Sequence, residues 1–155
     1  MRLDIVQIRY DDPVVRELTA EVQAEYGRLY GGSGDSSPMD PEQFAPPRGF
    51  FLLALGDGDP VGMGGWRWGG PADGDAEIKR MYVRASHRRA GFARLILAEL
   101  ERTASEAGVR RLVLETGMAQ PEAIAMYRAA GFADVPAFGH YAWSPDAVHL
   151  ALTLS

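Results

Sequence analysis

The 155-residue chain contains no cysteine. That absence excludes a disulfide scaffold, a thiolate metal site and a cysteine nucleophile. Long apolar runs are also missing. The longest outside glycine is Phe50 to Leu55, far short of the about 18 residues that a membrane-spanning helix requires. The opening MRLDIVQIRYDD carries Asp4 where an export signal needs apolar residues, so we expect no signal peptide and a cytoplasmic location. Histidine is scarce, and His87, His140 and His149 lack metal-ligand spacing, so no metal site is expected. There is no G-x-x-x-x-G-K-[ST] loop. The nearest approach to G-x-G-x-x-G, from Gly62 and Gly64, fails at Arg67. The nearest G-x-S-x-G fails at Asp35. Positive charge is in deficit, and a net charge of −5 argues against a general nucleic-acid binder.

What remains is an ordinary soluble composition, 46% hydrophobic and 24% charged, on a chain of the usual size for one domain. Leu3 to Arg9 alternates apolar and polar residues as a half-buried strand does. Asp11-Asp12-Pro13 reads as a helix start, and the helix runs to about Tyr30, with Val14, Leu18, Val22, Tyr26 and Leu29 on one face. Residues 31–49 hold four Gly, three Ser and four Pro. That composition predicts a long, mobile loop on the substrate side with at most one turn of helix in DPEQF, and no packed core segment. Phe50 to Leu55, Val61 to Trp68 and Ala76 to Val83 read as three strands joined by glycine-rich turns. A helix follows from about Gly91 to Ala107, with Phe92, Leu95, Ile96, Leu100 and Ala104 on its apolar stripe and Gly108 at its end. Arg110 to Thr116 reads as a strand, Pro121 to Ala130 as a helix and Val148 to Leu154 as a last strand. The order predicts one α/β domain over residues 1–155, with a mostly antiparallel sheet and one right-handed crossover.

Charge is distributed unevenly. Residues 79–94 contain Lys79, Arg80, Arg84, Arg88, Arg89 and Arg94 and no acid, whereas residues 1–75 carry 13 acids against 6 arginines. A basic run is commonly a solvated face. This one coincides with a turn between a strand and a helix. N–H groups at a helix start lack intrahelical partners, and the dipole there favours negative charge. Gly91 removes the side chain where an anion would touch backbone, Ala93 keeps the next position small, and arginines suit phosphate oxygens. The pattern describes a pyrophosphate cradle. A tight turn with solvent-facing arginines is the plainer alternative.

Arg88-x-x-Gly91-x-Ala93 resembles the acyl-CoA signature [Q/R]-x-x-G-x-[G/A] of the GNAT superfamily of N-acetyltransferases. AEIKRMYV resembles that family's fourth strand, VRRLVLETG its fifth, and QPEAIAMYRAAGF its final helix. The likeness runs from Ala76 to Phe132. It implies a mixed, mostly antiparallel sheet of six to seven strands flanked by about four helices and splayed between the fourth and fifth strands. Acetyl-CoA would be the acyl donor. Its pantetheine arm would lie in the splay on backbone groups of Met81, Tyr82 and Val83, and its pyrophosphate on residues Arg88, Arg89, Ala90, Gly91, Phe92, Ala93 and Arg94. Gln120 stands where many members have asparagine and would also touch the cofactor.

The resemblance makes Tyr127 the general acid for the departing thiolate, with a core tyrosine as its alternative. Phenol and thiol pKa values, about 10 and 8.5, are close enough for proton transfer on contact. An alkylamine of pKa about 10.4 needs a proton acceptor. Glu77 is the first candidate and Glu115 the second, and either could instead pair with a nearby arginine such as Arg80 or Arg111. Tyr26, Tyr30, Phe44, Trp66, Trp68, Phe138, His140, Tyr141 and Trp143 lie in segments able to line an acceptor pocket or to pack in the core. The expected activity is acetyl transfer to a primary amine of a small molecule by direct attack in a ternary complex. The alternatives are transfer to a protein N-terminus or lysine, and a non-catalytic acyl-CoA-binding module. Neither nucleic acid nor a membrane is an expected partner, and a homodimer is left open.

Overall fold

The computed structural model describes residues 1–154. Strands β1 (Leu3–Gln7), β2 (Gly49–Gly56), β3 (Asp59–Trp68), β4 (Asp75–Val83), β5 (Arg111–Gly117), β6 (Ala133–Asp134) and β7 (Ala147–Thr153) form one sheet. Their spatial order is β1-β2-β3-β4-β5-β7-β6. The α-helices are α1 (Pro13–Tyr30), α2 (Phe92–Glu106) and α3 (Pro121–Ala129), with 3-10 turns at Pro41–Phe44 and Ala85–His87. Three α-helices stand where about four were expected. The segment that supplies a further helix in that expectation is only the short Pro41–Phe44 turn.

The caps act as the residues suggest. Asp12 accepts from the Val14 N–H at the start of α1, with Pro13 in the first turn. Two faces of the sheet are covered. Val15, Leu18 and Val22 of α1 bury against Phe51, Leu53 and Met63 on one face. Ile96, Leu97, Leu100 and Ala104 of α2 bury on the other, together with Tyr127 of α3. Each large aliphatic side chain so buried contributes about 1.5–3 kcal/mol. Gly62 and Gly64 of β3 permit this closeness, since a Cβ at either would press within 2.9 and 3.2 Å of Ile96. Leu29 and Leu95, placed on the apolar stripes by periodicity, are exposed. At Leu95 the stripe turns one residue further and Leu97 takes the buried place, while the last turn of α1 runs past the core to a cavity rim.

The loop between α1 and β2 corrects a second expectation. Phe44 is buried in the α1-side core, tilted against Tyr10 and edge-on to Phe51, so this segment does contribute to packing. Asp40 caps the short turn with a capping box and presents Phe44 inward. Asp35 is tied to Gln23 through its backbone N–H and C=O.

Two irregularities in β4 position the site. Its parallel pairing with β5 covers only Asp75–Glu77 against Arg111–Val113, although β4 continues to Val83 and β5 to Gly117. Past Glu77 the two strands diverge, as the splay expected between the fourth and fifth strands requires. The second irregularity is a bulge. Met63 pairs with Tyr82 and Gly65 with Lys79, so Gly64 alone faces both Arg80 and Met81. Arg80 absorbs the extra residue at φ 59. A non-glycine residue in this region carries strain on the order of 1–3 kcal/mol.

Candidate active site

The diverging strands open into a cavity of about 530 Å³, lined by β4 and β5, the end of α1, the start of α3 and the segment before β7. At the outer end of β4 lies the turn into α2. Gly91 is the N-cap of α2 at φ 81, and Arg89 has φ 64. The first backbone bond of the helix is Leu95 N–H to the Gly91 carbonyl. The N–H groups of residues 89–94 make no hydrogen bond among the described residues. Consecutive amides of this kind form an anion-binding concavity. A Cβ at Gly91 would meet nothing within 4 Å, so the approach is open. A pyrophosphate fits this surface.

The arginines around the turn differ from the simple cradle picture. Arg88 is committed elsewhere: its guanidinium pairs with Glu25 at 2.7 Å and donates to the Val83 carbonyl at 2.9 Å. Arg84 likewise holds Glu21 at 2.7 Å and Glu17 at 3.2 Å. Much of the basic run therefore faces acids of α1, which accounts for the opposite charges of the two segments. Arg89 pairs only at the surface with Glu122, and Arg94 has no ion pair among the described residues. Those two remain available to a phosphate. Phe92 and Ala93 are half-buried at the start of α2, and Ala90 is exposed.

Just past β4, Arg84 N–H donates to the Val61 carbonyl of β3. Alternation then turns the N–H groups of Met81 and Val83 away from β3, toward the opening, and that of Tyr82 toward β3. The Val83 carbonyl is already shared with Arg88. The Tyr82 side chain lies on the opposite face of the sheet, with its hydroxyl on Glu21. Gln120, before α3, lines the cavity and donates to the Tyr30 hydroxyl at 3.1 Å.

Tyr127 of α3 also lines the cavity, with its ring packed at 5.5 Å on Phe132. Its hydroxyl has no hydrogen-bond partner among the described residues, yet it is not sealed from solvent, because Thr19 Oγ1 alone is a buried polar atom without a partner. Burial raises its pKa, so the phenol carries its proton at any working pH. The arrangement matches a hydroxyl held for something that enters the cavity.

The two carboxylate candidates part company. Glu77 accepts two bonds from Arg67, at 2.9 and 3.2 Å, and is not among the residues lining the cavity. Glu115 lines it. Burial pushes the Glu115 carboxyl up to about 7, against the pull of Lys79 and with help from Asp35 and Glu77. Its Oε2 lies 3.0 Å from His149 Nε2. Burial lowers the His149 pKa, opposed by a bond to the Phe138 backbone. The imidazole is therefore neutral at working pH.

Of the aromatic residues, Tyr26, Tyr30, Tyr141 and Trp143 line the cavity, and Trp143 is 76% exposed. Phe44 and Trp66 are core residues, the latter donating to Thr103 at 3.0 Å. Trp68 stands outside the cavity and packs edge-on against Trp66. Phe138 packs edge-on against His149, and His140 meets Ser36. Sequence reasoning missed the cluster on the cavity wall. Lys79 and Arg80 turn to the same side because of the bulge, and both bind Asp35, at 2.9 and 2.8 Å. Regular alternation would have sent them to opposite faces. Burial opposes ionisation of Asp35, but Lys79 and the Ser37 N–H outweigh it and hold the carboxyl far below its usual value. His149 was missed because its partner lies on a different strand.

Comparison with known proteins agrees with this geometry. A sequence profile of the acetyltransferase (GNAT) family matches residues 16–132. An IAA acetyltransferase of Azospirillum brasilense is 37% identical over 139 residues, 90% of this chain and 88% of that protein. A crystal structure from Klebsiella pneumoniae superposes with a TM-score of 0.82 at 28% identity, covering 99% of this chain and 98% of the other. An acetyltransferase from Thermus thermophilus gives 0.72 at 26% identity, over 99% and 98%. With the profile spanning most of its length and the splayed sheet in place, the chain belongs to the GNAT family of acetyltransferases.

Proposed function

We propose that this acetyltransferase moves an acetyl group from acetyl-CoA to the primary amine of a small molecule, by direct attack within a ternary complex. The observation that carries the reading is the continuous open edge from the free N–H groups at residues 89–94, along β4, to the unpartnered hydroxyl of Tyr127. An extended amide-bearing arm satisfies an unpaired strand edge as another strand would. Acetyl-CoA supplies the acyl group as a thioester activated toward attack. The N–H groups of Met81 and Val83 are the donors that would hold the arm, and those of residues 89–94 would hold its pyrophosphate.

Glu115, rather than Glu77, takes the proton of the amine in this reading. It lines the cavity, and a carboxyl near 7 is ionised to a useful extent at neutral pH while remaining basic enough to accept a proton. Glu77 is held by Arg67 and serves to orient that side chain. Tyr127 gives its proton to the leaving sulfur. Burial disfavours the phenolate and, in the same cavity, a free thiolate as well, so the neutral hydroxyl acts as hydrogen-bond and proton donor as the sulfur departs.

A small acceptor is favoured over a protein. Ser36 N–H donates to the Tyr141 hydroxyl at 2.7 Å, joining two of the loops that border the cavity and narrowing the entry available to a folded chain. The relative named IAA acetyltransferase supports the same choice. The test is Tyr127→Phe assayed by CoA release with a panel of amines. Turnover should fall by about 10²–10⁴-fold, the usual worth of general-acid help, with the Michaelis constant for acetyl-CoA little changed. Equal turnover in the variant would make Tyr127 a packing residue and refute its role.

A further inference from the structure

We infer that the acceptor carries a carboxylate as well as its amine, and that Arg80, assisted by Lys79, binds that carboxylate on the β4 wall of the cavity. The inference rests on the acyl-transfer reading above and names the acceptor's chemical class. Arg80 is a poor candidate for a purely structural role. It sits in the middle of a strand at φ 59, and only 4% of its side chain is exposed. Burying a charge in a strained backbone position is costly twice over.

The bonds that Arg80 makes do not use its full donor set. Nε donates to the Tyr10 hydroxyl at 3.2 Å and Nη1 to Asp35 at 2.8 Å. Nη2 donates to nothing among the described residues, and it is absent from the sealed, partnerless atoms, of which Thr19 Oγ1 is the sole example. The unpartnered Nη2 therefore keeps an accessible surface, and the cavity is the space that Arg80 lines. Beside it, Lys79 Nζ donates to Asp35 and Ser37, at 2.9 and 2.8 Å, leaving one of its three donors unused. Two cations share the single carboxylate of Asp35. Within the cluster the cations exceed the carboxylate by one charge, and at least two N–H donors are free among the described residues.

That is the donor arrangement that a carboxylate takes up. Glu115, on the facing strand β5, supplies the opposite charge for an ammonium or amine. An acceptor with both groups satisfies both walls at once. The tyrosines at 26, 30 and 141 and the exposed Trp143 offer its remaining body an aromatic surface. Amino acids with an apolar or aromatic side chain have this combination.

The experiment compares phenylalanine, phenylalaninamide and 2-phenylethylamine, primary amines of one shape that differ in the carboxylate. CoA release should give kcat/KM for phenylalanine about 10–100-fold above the other two, the worth of a charge-assisted contact. Arg80→Lys, which retains the charge but lacks the free Nη2, should erase most of this preference, chiefly through KM. Arg80→Met paired with Asp35→Asn removes one charge of each sign and leaves Lys79 on Ser37; it should likewise erase most of the preference, and a cooperative melting transition shows that the variant is folded. 3-Phenylpropionate, which has no amine, should bind in calorimetry and lose affinity in Arg80→Lys. Equal turnover of all three amines, with no binding of 3-phenylpropionate, would overturn the carboxylate subsite and leave the acetyltransferase reading standing. Arg80-dependent binding of 3-phenylpropionate without CoA release from any amine would do the reverse.

Discussion

Glu115→Gln removes the proposed proton acceptor and keeps the shape and the hydrogen-bonding capacity of the side chain. In the parent, a carboxyl titrating near 7 is about one-tenth ionised one pH unit below that value and about nine-tenths ionised one unit above. With Glu115 as base, kcat/KM measured by CoA release should rise about tenfold between pH 6 and 8 through this group alone. Ionisation of the acceptor amine adds a rise of its own at higher pH, so the informative quantity is the ratio of parent to variant. The variant should be slower by about 10²–10⁴-fold at pH 8 and should lack the inflection near 7. Glu77→Gln serves as the comparison, because its carboxylate is already engaged by Arg67 outside the cavity. It should retain the inflection. His149→Gln should shift the inflection without abolishing the rate, since His149 positions Glu115 through one bond. A parent profile with no inflection between pH 6 and 8, or a Glu115→Gln enzyme with the parental profile, would refute the assignment.

Asp35 and Glu115 predict opposite stability trends. Asp35 is held below its usual 3.8, so its contribution is present above that pH and is lost as pH falls further. Asp35→Asn leaves Lys79 and Arg80 unpaired in a largely buried place, and should cost about 3 kcal/mol or roughly 6–12 °C of melting temperature at neutral pH. A variant that melts with the parent would deny the cluster its structural weight. Glu115 has the contrary sign. Its folded value of about 7 exceeds the unfolded 4.5, so it favours the folded state below 4.5 and withdraws that support as pH rises through 7. Denaturant titrations of Glu115→Gln should show a smaller decline over that window than the parent shows.

Much of the framework was legible along the chain, because the signals were local. The Asp12-Pro13 start of α1, the glycine turns between β2, β3 and β4, and the Gly91 entry into α2 each depend on a few adjacent residues. The turn proposed to hold the anion was legible for the same reason, and its six free N–H groups are a property of backbone geometry. The side chains around it were harder. Arg88 reads as a phosphate ligand until Glu25 of α1, 63 positions away, claims it. Phe44 lies in a stretch whose composition denies it a core role, and one capped turn overrides the composition. The bulge at Arg80 is invisible to a pattern of period two. It alone makes Lys79 and Arg80 neighbours on the cavity wall, and so it hid the most charged part of the site. Glu77 and Glu115 look equivalent in sequence. They differ in what lies across from them, an arginine of β3 in one case and a neutral histidine of β7 in the other, and in that Glu115 lines the cavity and Glu77 does not.

The central claim is that the open edge of β4 and the turn into α2 receive acetyl-CoA, and its most direct test is calorimetric titration of acetyl-CoA into the parent and into Gly91→Glu. A Cβ at this position meets nothing within 4 Å, so a glutamate fits without colliding with the core, and its carboxylate adds negative charge beside the amides proposed to take the diphosphate. The strained φ of 81 should cost the variant only about 1–2 kcal/mol, and its melting transition should remain cooperative. The parent should bind, and the folded variant should bind at least a hundredfold more weakly. Equal affinity of the two proteins would contradict the account.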